Sequence, residues 1–491
     1  MHADFAPRHA DAPGPRLPGV MQLPNRPRQQ PINWQYQADE FDRFVGDDAN
    51  GVMYRDPTGR VAFTAFLEGA NYGTARHELV TFGPIALGKW LRGDDITHLL
   101  PTLEGYFSPQ YRVFTNGPGD ERCELWYLMY VNALAVHRIR RHARAQPHWI
   151  GLWAESAATL RAVARTLHYD FNHQGYDFAA GRGWTDREIY RQPDALGGYA
   201  YLMLMTYLLL GDGAYLDEAR HALIRYLGEP QNPWYEVPDG ALAAVAAAWF
   251  AGHGEPMNVH KALSWLLDPE AALATGAWGG QEVNGLARGW RHSERNSVYS
   301  MESLMILPFV LPVLRFVPEY AADIGRYALN VAANARLFFS PYMQGCESRP
   351  DLSPVVAYER LLESQGPCSP FATGDFQGHK SVYGGAYALW WGKLVRPTED
   401  PYILQINVTA ADFLTGYPRP AYLYYNPWQE KRTVRLPLGS VPSDLVELYS
   451  QQVLASSVTQ AAAIELPPGS AYVVTVRPAS AGTHHPQTGS P

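Results

Sequence analysis

Cysteine is scarce in this chain of 491 residues, which carries three: Cys123, Cys346 and Cys368. Their wide, odd-numbered spacing supplies neither a disulfide framework nor a paired zinc-ligand motif, so they read as isolated thiols. An excess of positive charge is also missing. With 40 basic against 48 acidic residues the net charge is −8, which offers no basic field to a polyphosphate backbone and argues against a nucleic-acid partner. No apolar run reaches the roughly 20 residues that cross a bilayer. The longest uncharged stretch, Ala195 to Gly211, contains Gly197, Gly198, Tyr199, Tyr201 and Tyr207 and reads as a buried helix. There is no Gly-rich phosphate loop followed by Lys, no HExxH despite His77-Glu78, and no Ser elbow of the GxSxG kind. Asp94-Asp95 is too short for the aspartate-rich motif of a terpene cyclase. No cofactor and no metal site is expected. The stretch from Met1 to Pro31 is rich in Pro, Ala, Arg and His and lacks the apolar centre of a secretory signal, so it is expected as a disordered leader on a cytoplasmic protein.

What the chain does have is apolar material, 46% of its residues with 13% aromatic, enough for one large core and an accessory domain. A short β-like passage, Gly51 to Phe66, carries turn chemistry at Asp56-Pro57-Thr58-Gly59. Helical periodicity then runs for most of the chain, in two alternating kinds. His77 to Leu91, Cys123 to Val136, Leu196 to Leu210, Ala241 to Gly252, Val298 to Leu314 and Ser381 to Leu394 are apolar on nearly all sides and must be covered all round. Leu152 to Tyr169, Ala214 to Leu227, Val259 to Leu267 and Tyr320 to Phe339 are amphipathic; in the last, Asp323, Arg326 and Arg336 share an outward face. Six buried helices wrapped by partly exposed ones predict an (α/α)6 toroid, with Asp94 to Tyr106 serving the first hairpin and no clear outer helix for the last.

Near Thr398 the pattern turns to short runs rich in Val, Leu, Ile and Tyr, divided by Pro437-Leu438-Gly439 and Pro467-Pro468-Gly469, which predict a small antiparallel β-sandwich. The expected organisation is a disordered leader over 1–31, the barrel with its short N-terminal hairpin over 32–397, the sandwich over 398–478 and a disordered tail over 479–491.

The succession of helical ring and β-domain, with Ala421-Tyr-Leu-Tyr-Tyr-Asn-Pro-Trp428 and Leu466-Pro-Pro-Gly-Ser-Ala-Tyr-Val-Val474 in the latter, resembles the six-hairpin glycosidases and the toroidal polysaccharide lyases. The resemblance covers residues 40 to 478 at the level of architecture. It implies a saccharide cleft at one end of the barrel, whereas the reaction has to be argued from the site.

Glycoside hydrolysis needs two carboxyl groups flanking one bond, and acids at helix entrances are the candidates. Glu78, Glu124, Asp194, Asp239 and Glu302 hold such positions, where the competing role is helix capping. Asp194 follows a charged aromatic loop and precedes Gly197-Gly198, which leave room for a ligand against the backbone. Glu302 lies in an apolar helix, where an ionised carboxylate is costly unless it faces a polar cavity or meets Arg291 or Arg295. Asp194 and Glu302 are therefore the expected catalytic pair. A polar loop over residues 280–296 offers Glu282, Trp290, Arg291, His292 and Arg295 as a substrate clamp, the Trp stacking on a sugar face. Asn172, His173 and Tyr176 form a second polar cluster, Asp375 and His379 a third, and Trp184 is a further loop aromatic. The expected partner is an oligo- or polysaccharide. Two other readings compete. In a uronate-specific polysaccharide lyase, Tyr176, Tyr299 or His173 would act as base with Arg291 or Arg295 neutralising the carboxylate. A non-catalytic sugar-binding toroid would keep the aromatics and need no perturbed acids.

Overall fold

Helices apolar on every side have to be enclosed, and the computed structural model, which describes residues 15–55, 59–68, 78–143, 146–293, 295–339, 351–352, 354–363, 380–415 and 419–479, encloses six of them in a ring. These inner helices are Leu79–Arg92, Leu125–Arg138, Ala195–Leu210, Val237–Gly252, Ser300–Val310 and Val382–Leu394. Each packs against the next, and the sixth packs against the first, so the ring is closed and not an open solenoid. Hydroxyls of the second and sixth helices meet near its axis, where Tyr130 and Tyr387 are hydrogen-bonded.

The outer layer contains Pro147–Thr166, Gly213–Gly228, Val259–Leu266 and Ala321–Asn334, as the amphipathic pattern predicts, and the short Leu100–Glu104 serves the first hairpin. The last hairpin takes its outer helix from the other end of the chain. Trp34–Gly46 is started by Asn33, whose side chain accepts the Tyr36 N–H at 3.1 Å. It buries Trp34, Ala38, Phe41 and Val45, one face at helical spacing, against the sixth inner helix. The approach is close enough to need glycine: a Cβ on Gly385 would stand 2.0 Å from the Phe41 ring.

Residues 15–31 differ from the expected disordered leader. Leu17, Val20 and Leu23 are buried, and Leu17 donates its N–H to Asp323 at 2.6 Å. Further on, Asn330 donates to the Pro24 carbonyl at 2.9 Å, and the Arg26 guanidinium lies 4.3 Å from the Trp428 ring centroid. This strap covers the face on which Asp323 and Arg326 were expected to meet solvent. The reason is compositional: three apolar side chains in a Pro-rich segment suffice to dock it, although they form no periodic pattern.

The C-terminal domain is antiparallel throughout its described pairs. A six-stranded sheet runs in the order 395–397, 404–407, 421–425, 471–478, 443–447, 453–458, and the pair 432–437 and 461–466 faces it. The segments carrying the family resemblance are neighbours in that sheet, Ala421 opposite Thr475 and Tyr425 opposite Ala471. A loop of this domain closes the ring at the C-terminal ends of the inner helices. Phe413 stacks on His137 at 4.0 Å and touches Trp90 and Trp390. Asp412 pairs with Arg315 and, through its carbonyl, with Arg141. Among the described residues no helix is long and apolar enough to cross a membrane.

Candidate active site

With one end of the ring plugged, the other is where the N-termini of the inner helices converge. Short strands deliver the chain there: Arg122–Glu124 leads into the second inner helix, Ser297–Tyr299 into the fifth and Lys380–Ser381 into the sixth. They are knitted into the rim by pairing with 175–177, 360–362 and 357–358 respectively. Glu78, Glu124, Asp194 and Glu236 occupy the N-cap positions of the first four inner helices, and none of them makes a side-chain capping bond. The outer helices behave oppositely, since Asn33, Asp212 and Asn258 all cap through their side chains. Glu78, Glu124 and Asp194 therefore do not cap their own helices through their side chains. Burial first, and then the charges of Glu236, Glu78, Glu124 and Glu302, hold the Tyr127 hydroxyl well above its ordinary range.

Glu302, in the first turn of the fifth inner helix, is 3% exposed, and its Oε2 has no hydrogen-bond partner. Its carboxyl stands within hydrogen-bonding reach of Glu236, and burial pushes it up to about 7. Glu236 is held well above the ordinary carboxyl range, first by burial and then by the charges of Glu302, Glu124 and Asp194. Two carboxyls this close cannot both ionise, so they hold one proton between them. Beside them Glu359 accepts the Ser381 hydroxyl at 2.5 Å and is pushed up to about 8 by burial and by Glu302. Glu78 accepts from Tyr383 at 2.8 Å and is also raised by burial. Glu124 is fixed differently, one oxygen accepting from the Gln174 amide at 3.0 Å and the other from Gln192 at 2.9 Å. The result is a pit where the carboxyls of Glu302, Glu236, Glu359, Glu78 and Glu124 gather with the hydroxyls of Tyr127 and Tyr383. Such a pit can deliver a proton at one point and accept one at another.

Of the residues expected to act, Glu302 is in the pit and Asp194 is not brought to it. Asp194 is buried with its Oδ2 accepting the backbone N–H groups of Tyr235 and Glu236. Gly197 and Gly198 leave no room for a ligand, because a Cβ on either would meet Ala243 at 2.7 Å or Asp239 at 2.0 Å. Trp290 is brought close: its backbone bridges Glu236, and its ring lies 6.1 Å from Tyr235 and 5.7 Å from Tyr190. His292 is exposed beside that ring at 5.9 Å. Arg291 donates its N–H to the Tyr235 carbonyl at 2.8 Å, and with Asn172 it lines a cavity of about 470 Å³ formed by the third hairpin and the loops leading into and out of it. Arg295 points to solvent, paired with Glu270 at 2.9 Å. Glu282 is occupied by the N-terminal strap, accepting the Arg28 N–H at 2.6 Å, so its part is structural. Tyr176 is buried against Phe178, the half-buried His173 lies against Gly183, and Trp184 carries the Arg122 guanidinium at 4.2 Å. Asp375, His379, Cys346 and Cys368 lie outside the described residues. Cys123 is free and buried, its thiol pushed up to about 12 by burial.

Glu236, Glu359, Tyr127 and Tyr383 escaped the sequence reading. A signal existed for Glu236: Pro238 marks the first turn of a helix, so the acid before Val237 is at the N-cap. Asp239, behind the proline, drew attention in its place. Glu359 lies in the bend between the rim strands Ala357–Tyr358 and Arg360–Leu362, with no periodicity to mark it.

No family model and no curated protein matches the chain. Among solved structures it is similar in shape to a D-mannose isomerase, with 11% identity over 73% of this chain and 96% of that one at a TM-score of 0.43. A sugar epimerase from a ruminal bacterium matches at 10% identity over 72% and 98%, TM-score 0.44. A family 76 glycoside hydrolase from a bovine Bacteroides thetaiotaomicron strain matches at 9% over 74% and 77%, TM-score 0.44.

Proposed function

We propose that the protein is a carbohydrate-active enzyme, and within that class a glycoside hydrolase. The observation that carries the reading is the buried pair Glu236 and Glu302, brought together where the fourth and fifth inner helices begin, at the open end of the toroid. A glycosidic bond breaks when its oxygen is protonated while a second carboxylate attacks carbon or activates water, from roughly 5 to 10 Å away. Glu236 and Glu302 are too close together to flank the bond from both sides. They act as one proton-delivering unit. The second carboxylate is then Glu124, on the inner helix opposite that of Glu302 in ring order and held still by two amide donors. Trp290 and Tyr235, next to Glu236, supply ring faces for a sugar.

Elimination on a uronate is the second enzyme reading, and one observation counts against its tyrosine base. Burial drives the Tyr299 hydroxyl further above its ordinary range, which makes it a poorer proton acceptor at neutral pH. The test is a panel of neutral and acidic oligosaccharides incubated in heavy-oxygen water. Hydrolysis places the label in a saturated product, and Glu302→Gln lowers turnover about 100- to 10,000-fold with the melting curve preserved. Unlabelled products absorbing in the ultraviolet would replace hydrolysis by elimination. No turnover and no binding across the panel would remove the carbohydrate reading.

A further inference from the structure

The cavity of about 470 Å³ at the third hairpin takes no part in the proposed chemistry, yet it is built from the same chain segments as the pit. Asn172 lines the cavity, and Gln174, two residues on, holds one oxygen of Glu124. Pro193 lines it, and the preceding Gln192 holds the other oxygen. Pro233 lines it shortly before Tyr235 and Glu236. Arg291 lines it directly after Trp290, whose backbone bridges Glu236. A chain advances at most about 3.6 Å per residue, so on each segment the cavity residue and its neighbour at the pit are no more than about 11 Å apart. The cavity therefore lies immediately beside the pit, on the same rim of the ring.

Its polar side chains are available to a ligand. Asn172 and Glu229 bond through their backbone only, and the side chains of Gln231 and Arg291 make no hydrogen bond or ion pair among the described residues. The Arg225 guanidinium meets the Tyr169 ring at 5.8 Å. Two arginines stand against two acids, Asp170 and Glu229, so the lining has no net charge with which to select an anion. Arginine donates, a carboxylate accepts, and the amides of Asn172 and Gln231 do both. Such a balanced set suits hydroxyl groups, each of which donates and accepts. The volume falls within the roughly 300–1,000 Å³ of small-ligand sites.

We infer that this cavity is an outer subsite for a neutral, hydroxyl-rich sugar unit of the same chain whose bond is cleaved in the pit, which matches the site to neutral oligosaccharides and not to uronates. The inference rests on the pit being the catalytic centre. Binding energy gained here, away from the reacting bond, decides which chains are held there for cleavage.

The test is calorimetric titration of the full chain carrying Glu302→Gln, which keeps the sugar intact, with neutral gluco-, manno- and galacto-oligosaccharides of one to four units. Affinity is expected to rise at least about tenfold at the length that first reaches the cavity, the yield of two or three hydrogen bonds. Adding Asn172→Ala and Arg291→Ala should abolish that step and leave shorter saccharides bound within about twofold. Both side chains are exposed, so the variants should keep the melting curve of the parent. A step that survives the two substitutions, or binding of short saccharides with no gain from length, overturns the subsite and leaves the pit's reading intact. Tighter binding of a uronate tetrasaccharide than of its neutral counterpart overturns the assignment to neutral sugars. Failure of every saccharide to bind removes the carbohydrate reading of the pit, and the subsite with it.

Discussion

Glu359 illustrates how a single side chain ties the pit's chemistry to the protein's stability. Its carboxyl is pushed up to about 8 by burial and by Glu302, whereas in the unfolded chain it titrates near about 4.3. Between those values the folded state binds a proton that the unfolded state has released, so stability falls as pH rises. The contribution is fully present below the unfolded value and is lost as pH climbs through the folded one. Glu302, Glu236 and Glu78 are raised in the same direction. His137 and His142 are depressed by burial and uncharged in both states above neutrality, so they do not mask the effect there. The expected outcome is a melting temperature lower at about pH 9 than at about pH 7, with a shallower fall in Glu359→Gln. A slope unchanged by that substitution would mean that Glu359 does not carry its proton into the neutral range.

At the scale of single elements, Phe413 is a plug with consequences for both ends of the ring. It is 2% exposed and packed among His137, Trp90 and Trp390. Removing a ring of that size from a core costs about 3–5 kcal/mol. Phe413→Ala should therefore lower the urea midpoint substantially, whereas loss of Asp412's pairing with the half-buried Arg315 in Asp412→Asn should cost less. The same scale shows what could be read from sequence. Inner helices such as Ala195–Leu210 were legible because they are apolar all round, and Gly213–Gly228 because only one face is; strands such as 421–425 and 471–478 stood out by their β-branched and aromatic runs between Pro and Gly. Trp34–Gly46 was not legible as the missing outer helix, because nothing local says that a helix near the N-terminus belongs to a hairpin completed near residue 394. The site followed the same division. Glu302 could be found because a charge inside an apolar helix conflicts with its surroundings, whereas Glu359 conflicts with nothing in the bend that holds it and gains its meaning from Glu302 in space.

For the molecule as a whole, the decisive contact is the one between Trp34–Gly46 and Val382–Leu394. Trp34 packs against Trp391 in a tilted pair with centroids 4.7 Å apart and donates its indole N–H to the Ala332 carbonyl at 3.1 Å. Trp34→Ala should cost about 3–5 kcal/mol by the loss of a fully buried ring. It should also increase hydrogen exchange in both the first and the sixth inner helices, measured peptide by peptide. A change confined to residues 34–46 would show that the ring holds closed without them.

That seam also fixes an order of events during synthesis. Its two sides are separated by nearly the whole barrel, so a ribosome adding roughly 5–20 residues per second spends on the order of 20–70 s between releasing one and the other. Through that interval the nascent chain is an arc whose first inner helix and leading helix carry uncovered apolar flanks, among them Phe41, Leu87 and Trp34. The pit cannot take its final form in that state, because Tyr383, the hydrogen-bond partner of Glu78, has not yet been translated. The carboxyl cluster must therefore assemble late and all at once, when the last hairpin closes the circle and covers the helix faces left open until then.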